Sequence, residues 1–85
     1  MQRQRSIVHE PEFIDELGVF VGRAERALDF IAGAEDLLSR EPESGVPDDE
    51  GLVWLLSLPP VGGRQLTIYY TFDEENVTFL AIRPV

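Results

Sequence analysis

Cysteine and lysine are both missing from this 85-residue chain, and histidine occurs only once. Without cysteine there is no disulfide and no thiolate chemistry, which favours a reducing compartment and a cytoplasmic location. A single imidazole, His9, has no second histidine or cysteine with which to build a zinc site or a catalytic triad. We therefore expect neither a metal nor a cofactor.

Long apolar runs are lacking too. No stretch approaches the roughly 20 apolar residues of a membrane-spanning helix, so no membrane partner is expected. The basic residues 1–5 precede no apolar region of the kind found in a secretory signal. The length suffices for one domain, which we assign to residues 1–85, with 1–5 as a frayed arm.

Negative charge dominates the composition. Sixteen acidic residues against seven basic ones, all arginine, give a formal net charge of −9 and a pI near 4.3. Such a surface repels polyanions, so broad binding to a nucleic-acid backbone is disfavoured, and a basic partner segment is attracted. An acid-biased proteome gives the same composition without any functional meaning.

Two helices are predicted in the first half of the chain. Pro11 is typical of a first helical turn, and apolar residues in 13–21 recur at three- and four-residue spacing. Gly22 interrupts this pattern. A second amphipathic pattern covers 23–39, and Pro42 prevents its continuation. The two form an αα-hairpin.

The second half has the pattern of a sheet. A β-prone stretch at 6–9 precedes the helices, and a loop is predicted at 41–51. Extended segments follow at 52–58, 64–72 and 77–83. The middle one alternates cleanly, so Tyr69 lies on the face opposite Ile68 and Tyr70. We expect an α+β domain with a short N-terminal strand, the helical hairpin and a three-stranded antiparallel sheet packed on the helices.

The order of these elements, with specific residues in the sheet, resembles toxins of the RelE/ParE superfamily. The features that carry the resemblance are Arg64, a tyrosine at 69 or 70, the acidic turn Asp73-Glu74 and the final strand from Val77 to Arg83. The resemblance implies helices on one face of the sheet and a working surface on the other. It also implies mRNA cleavage on the ribosome or inhibition of DNA gyrase, with neutralisation by an antitoxin.

The resemblance, read together with RNA chemistry, makes Arg64, Tyr69 and Arg83 the candidate catalytic residues. Metal-free RNA cleavage needs cations to stabilise the charged transition state, and an aromatic ring stacks on a base. The plainer interpretation is that Tyr69 covers a half-exposed sheet and that the arginines offset nearby carboxylates. The chain also lacks the lysines of the RelE-like basic cluster, which counts against ribonuclease activity.

Other conspicuous residues have simpler explanations. Trp54 lies in an apolar strand, which favours core or interface packing. The acidic runs 48–50 and 73–75 lack the ligand spacing of a calcium loop and occupy positions typical of polar turns.

Three functions stay open at this point. The first is a toxin acting on the ribosome and mRNA or on gyrase, whose antitoxin-like partner carries a basic helical segment. The second is a catalytically inactive protein of the same fold that binds a protein or dimerises through an open strand edge or the Trp54 region. The third is an unrelated α+β domain.

Overall fold

The computed structural model describes residues 4–21, 25–60 and 65–84. Two helices and five strands occur in these ranges, so the predicted α+β class is confirmed. In chain order they are β1 (Ser6–His9), α1 (Pro11–Val21), α2 (Glu25–Arg40), β2 (Val46–Pro47), β3 (Trp54–Ser57), β4 (Leu66–Phe72) and β5 (Asn76–Pro84), with a single 3-10 turn at Pro42–Ser44 before β2. No helix in the described ranges is long and apolar enough to cross a membrane.

The sheet is larger than predicted. All five strands join one sheet in the order β1-β5-β4-β3-β2. The three predicted antiparallel strands form its centre, while β1 pairs in parallel with β5 and the two-residue β2 pairs with β3. The prediction missed β2 because Val46 and Pro47 lie in a segment rich in glycine, proline and acidic residues, which has the composition of a loop.

The helices cover one face of the sheet. From α1, Phe13 is fully buried, and α2 contributes Ile31, Ala34 and Leu38. These side chains pack against the alternate residues of β4 and β5 that point the same way, namely Leu66, Ile68, Tyr70, Val77, Phe79 and Ile82. The opposite face receives no helix from the described part of the chain. It is called the open face below.

Tyr70 ties the connection after α2 to the covered face. Its side chain is fully buried, and its hydroxyl donates to the Pro42 carbonyl at 2.6 Å and accepts from the Gly45 N–H at 3.0 Å. Gly45 is required at this point because a Cβ there would overlap the Tyr70 hydroxyl and lie 2.6 Å from the Leu55 carbonyl oxygen. One buried phenol therefore fixes the path of the chain into β2.

The two edges of the sheet are protected in different ways. Along β1, Arg5 donates its N–H to the Ser39 carbonyl of α2 at 2.8 Å, and His9 bonds Glu35 of the same helix at 2.9 Å. A helix beside an edge strand blocks pairing with another chain. At the other edge, β2 is very short and contains Pro47, which has no N–H to donate.

Candidate functional site

The open face presents three rows of side chains that run across the strands. Strand register places them side by side: Ser57, Thr67 and Arg83; then Val46, Leu55, Tyr69 and Ala81; then Thr71, Thr78 and Val8. Val46 is 68% exposed and Val8 is 41% exposed. The middle row is apolar apart from one phenol, and the two rows beside it carry mainly hydroxyl groups.

A β-bulge decides which residues share this face. Tyr69 lies opposite Ala81, but Tyr70 lies opposite Phe79, so Leu80 has no partner across the ladder. Simple alternation from Val77 would have turned Arg83 toward the helices. The extra residue reverses the alternation and places Arg83 on the open face beside Tyr69.

Two of the three predicted site residues therefore come together. The guanidinium carbon of Arg83 lies 5.7 Å from the centre of the Tyr69 ring, within the range of a cation–π contact. The third, Arg64, lies outside the described residues. Tyr69 is half-buried, and its neighbours Thr67 and Ala81 on the same face are each 6% exposed.

Arg83 is also paired with two carboxylates of α1. Its Nη2 donates to Glu12 Oε1 at 3.0 Å and its Nε donates to Glu16 Oε2 at 3.2 Å. The hydrogen bond to Glu16, its negative charge and the second bond to Glu12 raise the pKa of Arg83 above the ordinary arginine value. The guanidinium is permanently charged, but two carboxylates against one cation leave the local charge negative.

Sequence reasoning did not assign Glu12 and Glu16 to the site. The available signal was their spacing, since residues four apart lie on the same side of a helix. That α1 lies close enough to Arg83 for this side to reach it depends on the packing of α1 on β5, which no sequence pattern marks.

The chemistry available to this cluster is limited. A transition state with growing negative charge needs positive charge that is free to approach it. Arg83 is occupied by Glu12 and Glu16, and a phosphate approaching Tyr69 would meet those same carboxylates. Among the described residues, the arrangement suits the packing of neutral groups on the Tyr69 ring better than phosphate chemistry.

Carboxylates avoid the open face and gather at one end of the sheet. No open-face position named above is acidic, although the chain has 16 acidic residues. The connection before β3 carries Asp48, Asp49 and Glu50, and the β4–β5 turn carries Asp73, Glu74 and Glu75. Both connections lie at the same end because β3 begins opposite Tyr70, two residues before β4 ends. This end is called the acidic end below.

Two of these carboxylates accept hydrogen bonds from backbone N–H groups at the acidic end. Asp73 Oδ1 accepts the N–H groups of Asn76 and Glu75, each at 2.8 Å, and these two bonds lower the pKa of Asp73. Asp48 Oδ1 accepts the Leu52 N–H at 3.1 Å. The predicted polar turns are confirmed. Glu74 makes no hydrogen bond or ion pair with the described residues.

A cleft opens beside the acidic end. It has a volume of about 570 Å³, and Glu41, Glu43 and Glu74 line it together with Arg5 and Arg40. Both arginines are already engaged: Arg5 Nε donates to the Asp73 carbonyl at 2.6 Å, and Arg40 pairs with Asp36. The three glutamates form no ion pair within the described part of the chain, and they outnumber the two guanidiniums of the lining by one negative charge.

His9 and Trp54 belong to packing rather than to the open face. The His9 ring stacks on Phe13 at 5.2 Å while its Nε2 bonds Glu35. Trp54 lies 5.3 Å from Phe72 and packs against the core, as its apolar strand predicted. Within the described ranges, no group of three or more histidine, aspartate or glutamate side chains is arranged to hold a metal ion.

Comparisons with protein-family models, with curated proteins and with solved structures find no match to this chain.

Proposed function

We propose that this chain is a non-catalytic protein of RelE/ParE-like design that acts by binding another protein. The observation that carries the proposal is the double pairing of Arg83 with Glu12 and Glu16, at 3.0 and 3.2 Å. The cation that an RNA-cleaving site would need is neutralised by the protein's own helix. The expected partner is antitoxin-like, a small protein with a basic segment, because the net charge of −9 attracts such a segment.

Dimerisation through a strand edge is the less favoured form of this function. The β1 edge is covered by contacts of Arg5 and His9 with α2, and the β2 edge is interrupted by Pro47. The open face is the larger available surface.

A toxin that cleaves mRNA or inhibits gyrase is the second candidate. The proximity of Tyr69 and Arg83 favours it, because both were assigned to the site from the family resemblance and lie 5.7 Å apart. In this alternative, a partner or substrate has to displace Glu12 and Glu16 before Arg83 can act.

Inducible expression of the chain in a bacterial host separates the two candidates. We expect growth and bulk translation to continue normally with the parent chain, with Arg83→Ala and with Glu12→Gln/Glu16→Gln. The last variant frees Arg83 and so gives a concealed nuclease its best opportunity. Growth arrest by the parent or by the glutamine variant, relieved by adding Arg83→Ala, would establish toxin activity and overturn the proposal.

A further inference from the structure

The open face has few charged side chains, which is unusual for so acidic a protein. Solvated strands normally tolerate charged side chains, and 13 acidic residues are exposed elsewhere in the described part of this chain. On the open face, the only ionised position in the three rows is Arg83, whose charge is more than balanced by Glu12 and Glu16 of α1. Interface centres are depleted of acidic residues in the same way, because an ionised group loses hydration when a partner covers it.

The middle of the face suits apolar side chains. Val46, Leu55 and Tyr69 form neighbouring pairs across β2, β3 and β4, and the hydroxyls of Thr71 and Thr78 lie beside them. Tyrosine provides a rigid, amphipathic contact area of the kind that dominates binding energies. The surface fits neutral side chains from a partner.

The two ends of the face differ in charge. Beyond Thr71 lies the acidic end, with Asp49, Glu50 and Glu74 directed to solvent. At the opposite end lie Ser57 and Arg83, where Glu12 and Glu16 outweigh the guanidinium by a single negative charge, against six carboxylates in the two connections at the acidic end. A partner segment with basic residues at only one terminus is therefore held in one direction along the strands.

We propose that the open face docks, lengthwise, a segment of another protein that is uncharged in its middle and basic at one end, with the basic end over the acidic end of the sheet. This inference rests on the proposed protein-binding function and adds the site, chemistry and direction of the partner. β4 has seven residues, so at about 3.3 Å per residue the face is roughly 23 Å long. It accommodates about seven extended residues, or about 15 in a helix at 1.5 Å each.

A second copy of the chain is a poorer occupant. It has the same net charge of −9 and no lysine, and Arg5, Arg40 and Arg83 each already bond groups of their own chain. It therefore has little positive charge to offer the acidic end. Nucleic acid is a poorer occupant still, because its phosphates meet the same negative field.

The test uses random peptides displayed on phage and selected on the full chain, with the strongest binders then synthesised. We expect binders with a neutral, partly apolar stretch followed by clustered lysine or arginine at one terminus. Tyr69→Asp places a carboxylate in the middle row, and we expect it to weaken them at least about tenfold. Asp49→Asn/Glu50→Gln/Glu74→Gln should weaken them several-fold at low salt and flatten the salt dependence.

The matched control is Glu10→Gln/Asp15→Asn/Asp29→Asn, which removes three exposed carboxylates from α1, from α2 and from the residue before α1. We expect it to leave affinity nearly unchanged. If both triple variants weaken peptide binding equally, the effect comes from net charge alone. If Tyr69→Asp leaves the affinity unchanged, the peptides bind elsewhere. Either result, or no enriched peptide, overturns this inference. Normal growth in the expression experiment would still leave the non-catalytic function standing.

To establish the direction, a paramagnetic tag is attached at the basic terminus of a selected peptide and amide signals of the labelled chain are recorded. We expect broadening at residues 49, 50 and 74 and not at 57, 67 and 83. The reverse pattern, or equal broadening at both ends, contradicts the proposed direction. Circular dichroism of Tyr69→Asp checks that the variant retains the parent fold.

Discussion

Tyr69 and Tyr70 are neighbours in the same strand, yet they serve opposite faces of the sheet. Tyr70 is fully buried among core side chains, and its hydroxyl has a donor and an acceptor partner. Tyr69 is half-buried, and its ring is contacted by the guanidinium of Arg83. The residue type alone therefore says little about role. The register of the strand assigns one phenol to stability and leaves the other available to a partner.

Among substitutions around Tyr70, we expect Gly45→Ala to lower the free energy of unfolding the most. The added Cβ overlaps the Tyr70 hydroxyl and a backbone oxygen of Leu55, and overpacking of this kind costs about 1–3 kcal/mol. We expect a loss near the top of that range, because the overlap also disturbs the Gly45 hydrogen bond. Urea unfolding provides the measurement.

The double variant Gly45→Ala/Tyr70→Phe sharpens this prediction. Removing the hydroxyl relieves part of the overlap, so the combined loss should be smaller than the sum of the two single losses. Strict additivity would show that the clash is with Leu55 alone. A Gly33→Ala variant is the control, since its Cβ meets nothing within 4 Å.

A somewhat smaller effect is expected from Tyr70→Phe, with Tyr69→Phe as its matched partner. The first leaves the Pro42 carbonyl and the Gly45 N–H without the buried hydroxyl that bonds both, at a cost of about 1–3 kcal/mol. The second removes a hydroxyl with no hydrogen bond to the described residues, so its effect should stay within about 0.5 kcal/mol. Equal losses would mean that the two faces are not divided as described.

The smallest expected effect on the free energy of unfolding is that of ionising Tyr70 at alkaline pH. Burial raises the pKa of Tyr70 above its ordinary value of 10.0, with the Gly45 N–H bond acting in the opposite direction. Below pH 10 the phenol is protonated in both folded and unfolded chains, and its contribution is fully present. Above pH 10 the unfolded chain releases this proton first, so the free energy of unfolding falls as pH rises.

Parent and Tyr70→Phe chains should therefore differ in slope between pH 10 and the raised pKa of Tyr70. The parent should lose stability more steeply there, because the phenylalanine variant has no proton to release at this position. Unfolding midpoints measured across that range provide the check. Parallel slopes would show that Tyr70 ionises as readily in the folded chain as in the unfolded one.

Much of the fold followed from patterns that depend only on neighbouring residues. Pro11 marked the start of α1, the three- and four-residue spacing marked the buried side of α2, and alternation assigned Tyr69 and Tyr70 to opposite faces of β4. These features depend on helix and strand geometry, which acts within a few residues. The α+β class and the confirmed elements rest on them.

The candidate site was less accessible to sequence reasoning. Its arrangement depends on the bulge at Leu80 and on the approach of α1 to β5, which brings Glu12 and Glu16 to Arg83. Residues 12 and 83 are far apart in the chain, and no local pattern reports their contact. The sequence predicted that Tyr69 and Arg83 belong together, but not the carboxylates that neutralise the arginine.

The parallel pairing of β1 with β5 has a consequence for the time at which this protein can form. β1 is the first described strand and β5 the last, and their registered pairs join Ser6 with Asn76 and His9 with Phe79. Contacts between such distant residues close late, because a long loop must lose its freedom first. During synthesis, β3 and β4 can pair before β5 has been made, so β1 still lacks the strand with which it pairs. The side of β1 that pairs with β5 and the buried Phe13, which packs on Phe79, therefore become protected only when the last strand is made, and an incomplete chain exposes both to proteases and to other chains.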